Sequence, residues 1–262
     1  MNIIEESYKG FLNLPHRTDR LEHMTNQLSR IGLTANRHIG KKPEEYNLND
    51  PKVQVMKNRT PGAIGCHFGQ VDIMKTALEQ NQHAMVMEDD IVFCEDFNKR
   101  MEIVSEFTSG NDWDIVWLGG TVHHDPPWWH KQPHNRELNC KCKLGRDMES
   151  TPNKYIIRTY GAFCTYAYIV NINSLEKVIR LLDENVHLSM GIDWEFILLQ
   201  PQLKTYMFVP GCVKQIDNRS DIGDGDTIFS GFSRLNGTIE NSLYWYQNKM
   251  EDFNHDNWNW KW

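Results

Sequence analysis

Asp114 is followed by the unbroken apolar run IVWL and then by a glycine pair, DIVWLGG at 114–120, and this run sharply narrows the folds open to the chain. A strand with one face in water alternates apolar and polar residues. An unbroken run needs cover on both faces, the situation of a parallel sheet packed between helices. AFCTYAYIV at 162–170 is a second such run, and GFLNLP (10–15), AMVMEDD (84–90) and KTYMFVP (204–210) are shorter ones. Helical spacing fills the intervals: Leu21, Met24, Leu28 and Ile31 before Gly32, then Phe68, Val71, Met74 and Leu78 within about 65–80, then Leu175, Val178, Ile179 and Leu182 from near Ser174. Strands alternating with helices predict an α/β architecture with a mostly parallel central sheet. With 262 residues, 40% of them apolar, and neither an internal repeat nor a low-complexity linker, the expectation is a single domain over 1–262.

The formal charge of −7 disfavours nucleic acid as a partner, because binding a phosphate backbone calls for a basic surface. No apolar run reaches the roughly 18 residues that a membrane span requires. The opening MNIIEESYKGFLNLP has neither the basic start nor the apolar stretch of a secretory signal, so a cytoplasmic location is expected and the six cysteines are read as thiols. In that compartment the sequons at Asn58, Asn218 and Asn236 carry no meaning.

MVMEDDIVF (85–93) sets Glu88, Asp89 and Asp90 in the middle of an apolar strand. Ligands of parallel α/β sheets bind beyond the carboxyl ends of the strands, where this triplet falls. Side chains alternate along a strand, so Glu88 and Asp90 are expected on one face and Asp89 on the other. Two converging carboxylates repel, and their stable ionisation requires a cation or a strong set of donors. Hard oxygen ligands suit Mn²⁺ or Mg²⁺, and an ion held by one or two carboxylates completes its shell with water and a substrate's phosphates. The alternative is a solvated acidic turn that caps the strand.

Five segments in chain order, NLPHRTDRLEHM, PGAIGCHFGQVDIMKTAL, AMVMEDDIVF, TYAYIVN and GIDWEFIL, together resemble glycosyltransferase family 25, which includes bacterial lipooligosaccharide galactosyltransferases and the collagen galactosyltransferases. The likeness spans roughly residues 10–222. It implies a GT-A-type, Rossmann-like nucleotide-sugar transferase domain with a donor-binding half over about 1–120 and an acceptor-side half over about 121–262. It also implies a UDP-sugar donor, Mn²⁺ or a similar metal, a glycan or glycoconjugate acceptor, and inversion at the anomeric carbon. The expected reaction is transfer of a hexose, galactose favoured, to a saccharide or other hydroxyl, with a part in lipopolysaccharide biosynthesis. A metal-dependent phosphohydrolase or nucleotidyltransferase and a non-catalytic sugar-binding module of the same fold are the rival readings.

Residue by residue, the resemblance makes the acidic triplet the counterpart of the DxD motif of GT-A enzymes. Asp90 is the preferred metal ligand, Glu88 binds the metal through water or holds the ribose, and Asp89 lies on the donor side. Asn13 and Pro15 end the first strand where a base lies against the backbone, and Arg17 and Arg20 offer forked donors to phosphate or ring carbonyls. Asp19 accepts from a ribose or caps the helix with Thr18. Gly62 and Gly65 let the chain turn into a helix whose N-terminal amides face a diphosphate, and His67 is read as packing rather than as a ligand. Asp193 is the preferred base and Glu195 an acceptor contact. The two diverge if the segment is a helix and converge if it is extended, and Asp193 is otherwise a helix N-cap. Trp194 stacks on a sugar or packs in the core. Gln215, Asp217 and Asp221 are oxygen donors able to return to the metal or the donor sugar, with Gln215 also placed on the acceptor side. The C-terminal histidine common among GT-A metal sites is missing, so a third ligand stays unassigned.

Periodicity fails over about 121–154, where a lid or acceptor loop is expected with Trp128 and Trp129 as sugar platforms. A zinc site using the histidines, Cys140 and Cys142 is the alternative there. The alternating Trp258, Trp260 and Trp262 are read as a docked terminal strand or as a contact with acceptor or a membrane surface.

Overall fold

The computed structural model of the chain describes residues 2–41, 45, 49, 53–54, 61–122, 148–185, 191–209 and 211–216. Strand β1 (Ser7–Asn13) leads into helix α1 (Thr18–Ile31) and the short β2 (Asn36–Ile39). Helix α2 (Pro61–Glu79), β3 (His83–Glu88), β4 (Ile91–Phe93) and α3 (Phe97–Gly110) follow. Next come β5 (Ile115–Val122), β6 (Met148–Ser150), β7 (Ile156–Thr159) and β8 (Ala162–Val170). Helices α4 (Leu175–Asn185) and α5 (Ile192–Leu199) precede β9 (Thr205–Phe208) and β10 (Val213–Gln215).

Eight strands form one sheet in the order β2-β1-β3-β8-β5-β9-β7-β6, and β4 pairs with β10 in a separate antiparallel ribbon. β1 is parallel to β2 and β3, and β5 to β9, while β8 and β7 run against their neighbours. Six of the eight strands therefore point one way, as the mostly parallel sheet expected from the sequence requires.

Helices on both faces account for the unbroken apolar runs. Ala84, Val86, Ile115, Trp117, Tyr168 and Val170 share a core with Val71 and Met74 of α2, Val178 and Leu182 of α4, and Phe196 of α5. The intervening residues Met85, Met87, Val116, Leu118, Ala167 and Ile169 pack with Met24 and Leu28 of α1 and with Met101 and Val104 of α3. In α1 the stripe is Arg20, Met24, Leu28 and Ile31, and Gly32 ends it at φ 68° with its N–H turned back to the last carbonyls.

The glycine pair does not end β5 as its sequence suggests. The strand continues to Val122, while residues 123–147 of the aperiodic segment lie outside the described residues. Gly119 is where the β4–β10 ribbon meets the main sheet: a Cβ there would stand 2.1 Å from the Val213 carbonyl oxygen. That neighbour is backbone and cannot swing aside. Gly119→Ala should therefore destabilise the fold by about 1–3 kcal/mol and lower the thermal midpoint by roughly 3–10 °C. Gly110→Ala, where nothing lies within 4 Å of the added carbon, should leave the midpoint unchanged or slightly raised in the same melting experiment.

Candidate functional site

β1 and β3 lie side by side with Leu12 opposite Glu88, so Asn13 and the acidic triplet emerge together at their carboxyl ends. The chain leaves β1 for β2 on one side and returns as β3 on the other, and this reversal opens the crevice in which open α/β sheets bind ligands. β3 ends at Glu88, and Asp89 and Asp90 form the turn into β4. Strand alternation therefore stops before it can set Glu88 and Asp90 on one face against Asp89. Asp89 and Asp90 instead share Arg20, whose Nη1 is 2.9 Å from Asp89 Oδ1 and 3.1 Å from Asp90 Oδ2. Asn13 Nδ2 donates to Asp89 Oδ2 at 2.6 Å, and Gln215 Nε2 to Asp90 Oδ2 at 3.1 Å. The Ile216 N–H donates to the Asp90 carbonyl at 2.8 Å, so the β4–β10 ribbon holds the turn from its far side. Asn13 Oδ1 and Asp90 Oδ1 are buried and without a hydrogen-bond partner among the described residues.

Glu88 faces a second set of groups. Thr165 Oγ1 is 2.8 Å from Glu88 Oε1 and 2.8 Å from Asp193 Oδ1, and it accepts from Gln70 Nε2 at 3.0 Å. Tyr168 in turn donates to Gln70 Oε1 at 2.7 Å. One hydroxyl has one proton and cannot donate to both carboxylates at once. Thr165 reaches this position because β8 bulges: Ala167 pairs with Gly119 but Phe163 pairs with Thr121, and Cys164 takes a φ of 69° between them. Burial, then the negative charges of Asp90 and Asp193, push the Glu88 carboxyl well above the usual carboxylate range. Burial also raises Asp90, against the pull of Arg20. Asp193 is pushed up to about 6, mainly by burial, although Thr165 hydrogen-bonds to its ionised form.

GIDWEF is helical, so Asp193 and Glu195 diverge. Gly191 holds the N-cap position of α5, and Asp193 lies in the first turn. Glu195 points into the core, fully buried, with Oε2 2.7 Å from Nδ1 of the equally buried His67. Trp194 is partly exposed and packs edge-on against Phe163 at 4.9 Å.

Other residues singled out in the sequence stand apart from these clusters. Pro15 is exposed in the turn after β1. Arg17 occupies the N-cap position of α1, and its guanidinium grips Asp19 with Nε and Nη2 at 2.9 and 2.8 Å from the two carboxylate oxygens. That contact holds the Asp19 carboxyl well below the usual range, and neither Thr18 nor Asp19 caps the helix. α2 already runs from Pro61, so Gly62 and Gly65 lie inside the helix and not in a turn leading to it; Gly65 gives the Lys41 carbonyl room to approach. Gln215 is the exception that joins the acidic turn, and it presents its amide nitrogen, not an oxygen, to Asp90. Trp128, Trp129, Cys140, Cys142, Asp217, Asp221 and the C-terminal tryptophans lie outside the described residues, as do the three sequon asparagines. Thr165, Gln70 and Tyr168 were not foreseen; the signal for Thr165 is a polar residue inside the apolar run AFCTYAYIV.

Among the described residues no three His, Cys, Asp or Glu side chains come together closely enough to enclose a metal ion, and no helix is long and apolar enough to cross a membrane. The acidic turn does fit an ion that takes the rest of its shell from water and a ligand, since Asp90 Oδ1 is an unmet carboxylate oxygen.

No curated protein sequence matches the chain. Among solved structures it is similar to the "Crystal structure of a glycosyltransferase involved in the glycosylation of the major capsid of PBCV-1", with 13% identity, a TM-score of 0.41, and coverage of 80% of this chain and 93% of that one. Residues 11–194 match the profile described as "Glycosyltransferase family 25 (LPS biosynthesis protein)". That match takes in well over half of the chain, including the acidic turn, Thr165 and Asp193, and the chain accordingly belongs to glycosyltransferase family 25.

Proposed function

We propose that this glycosyltransferase moves a hexose, galactose favoured, from a UDP-sugar to a hydroxyl of a saccharide or other glycoconjugate, with inversion at the anomeric carbon and with a divalent ion, Mn²⁺ or Mg²⁺. The observation that carries the reading is the cluster of carboxyl groups at the end of β3: Thr165 joins Glu88 to Asp193, and a carboxylate oxygen of Asp90 is buried and unmet among the described residues. Asp90 through Oδ1, and Glu88 through water, would hold the ion, which when bound would neutralise charge developing on the diphosphate leaving group.

Asp193 acts as the base. It takes the proton of the acceptor hydroxyl as that oxygen bonds to the anomeric carbon and the bond to the diphosphate breaks on the opposite side. A carboxyl with a pKa of about 6 is mostly ionised at neutral pH and still basic enough to accept the proton. Trp194, held edge-on by Phe163, offers its exposed face to the acceptor sugar. Glu195, committed to His67, steadies α5 from within and does not touch the acceptor.

UDP release from UDP-galactose in Mn²⁺ should fall on the order of 10²-fold or more in Asp90→Asn. A wild-type protein that turns over no UDP-sugar in Mn²⁺, and binds no UDP by calorimetry, would contradict the proposal. The kcat/KM of the wild type should rise with pH to a plateau with a midpoint near 6, and Asp193→Asn should flatten that limb and cost about 10²–10⁴ in rate.

The same carboxyl sets a stability trend. Folding raises its pKa from 3.8 to about 6, so the folded state holds the proton more tightly than the unfolded chain does. Ionised Asp193 therefore costs stability above about pH 6 and nothing below about pH 4. Urea titrations should find Asp193→Asn more stable than wild type by about 1–3 kcal/mol near pH 7.5, with the gain shrinking as pH falls.

A further inference from the structure

Gln70 of α2 and Thr165 and Tyr168 of β8 are all buried, and they form one hydrogen-bonded chain. Tyr168 donates to Gln70 Oε1 at 2.7 Å, and Gln70 Nε2 donates to Thr165 Oγ1 at 3.0 Å. Nε2 also stands 3.3 Å from Cys66 Sγ and 3.4 Å from Glu88 Oε1. Residues three apart face opposite ways on a regular strand. Thr165 and Tyr168 both reach Gln70 in the stretch where the pairing of β8 with β5 shifts register. Packing alone does not call for this polarity. Tyr168 lies against Trp117 and Phe196, and two buried partners can be exchanged for apolar groups of the same shape with little loss of stability.

The chain has a direction. With the Tyr168 hydrogen on Oε1, the Gln70 amide turns its nitrogen to Thr165. The Thr165 oxygen accepts from Gln70, and its single hydrogen is left for the two carboxyl oxygens at 2.8 Å, Glu88 Oε1 and Asp193 Oδ1. A reversed amide would take that hydrogen itself and leave Asp193 Oδ1 facing a lone pair. We infer that Gln70, locked by Tyr168, is a positioning residue for the transfer step: it makes Thr165 a donor to the carboxyl groups, so that Asp193 is held by Oδ1 and offers Oδ2 to the acceptor hydroxyl. This rests on the reading of Asp193 as the base.

The test is UDP release from UDP-galactose in Mn²⁺ by Tyr168→Phe and by the double variant Gln70→Met/Tyr168→Phe, with thermal melting of each. The double variant should melt within about 5 °C of wild type. It should keep the KM for UDP-galactose within about twofold and lose roughly 10-fold in kcat, the scale of one hydrogen bond. Tyr168→Phe alone should show the same split with a kcat loss of about threefold, and it decides the matter if the double variant does not fold. Thr165→Val should lose at least as much as the double variant. Adding Gln70→Met/Tyr168→Phe to Thr165→Val should cost less than about twofold more, because Gln70 acts through Thr165. A folded variant with wild-type kcat, a loss that appears in KM and melting instead of kcat, or losses that multiply in the Thr165→Val background would overturn the inference. If Asp193→Asn keeps full turnover, or wild type turns over no UDP-sugar, the underlying reading falls and the inference with it. If Asp193→Asn is inactive while the folded double variant is unimpaired, only the positioning role falls.

Discussion

Arg20 reaches from the buried stripe of α1 into the turn after β3 and places one guanidinium nitrogen within about 3 Å of both Asp89 and Asp90, and the arrangement around it follows from that contact. Taking a carboxylate out of water costs several kcal/mol unless it is paired and hydrogen-bonded, so two adjacent buried aspartates would not stay ionised in this turn alone. Arg20 and Asn13 satisfy both oxygens of Asp89, and Arg20 and Gln215 satisfy one oxygen of Asp90. Among the described residues Glu88 has Thr165 and a long approach from Gln70 to set against burial and the charges of Asp90 and Asp193, and its carboxyl is raised well above the usual range. Burial, more than any neighbouring charge, raises Glu88, Asp90 and Asp193, and Arg20 offsets part of it at Asp90.

The sheet supplies the precision this charge distribution needs. With both faces covered, the central strands cannot slip by one residue without moving every apolar side chain from one core to the other. The Leu12–Glu88 register, which sets Asn13 beside the triplet, is therefore as firm as the cores that flank it. The pairing of β8 with β5 shifts register twice, between Trp117 and Gly119 and between Gly119 and Thr121, and at the second shift Cys164 takes a conformation that non-glycine residues seldom adopt. Thr165, the residue after Cys164, links Glu88 and Asp193 from within this irregular stretch. Local strain at that point is thus tied to a position in the site.

What could be read from the sequence follows from which interactions are local. The runs at 84–90, 114–120 and 162–170 and the spacing in α1, α2 and α4 reflect burial repeated over several residues, and each became the element expected. Strands β2, β4, β6, β7 and β10 are three or four residues long, too short for a period to show. The acidic triplet was legible as a cluster of carboxyl groups at a strand end, but its internal division was not, because assigning Asp89 to Arg20 takes a contact 69 residues apart in the chain. The same holds for Glu195: two carboxylates flanking a tryptophan look alike in sequence, and only the approach of α2 reserves one of them for His67.

That reservation shows how one short helix can serve packing and chemistry together. Positions i and i+2 on a helix face nearly opposite ways, so α5 can bury Glu195 against α2 while turning Asp193 toward Thr165. A well-packed apolar pair in place of His67 and Glu195 would often be as stable. What the close contact between Glu195 Oε2 and His67 Nδ1 adds is direction, since the 2.7 Å approach is kept only while α5 holds one rotation about its own axis. Asp193, two residues earlier on the same rigid turn, takes its orientation from that rotation. The first turn of a helix favours a carboxylate, and Thr165 favours it further, yet burial still lifts the Asp193 pKa to about 6. The fold therefore tolerates a carboxylate that its surroundings only partly stabilise, and that same shortfall makes Asp193 a willing acceptor of a proton.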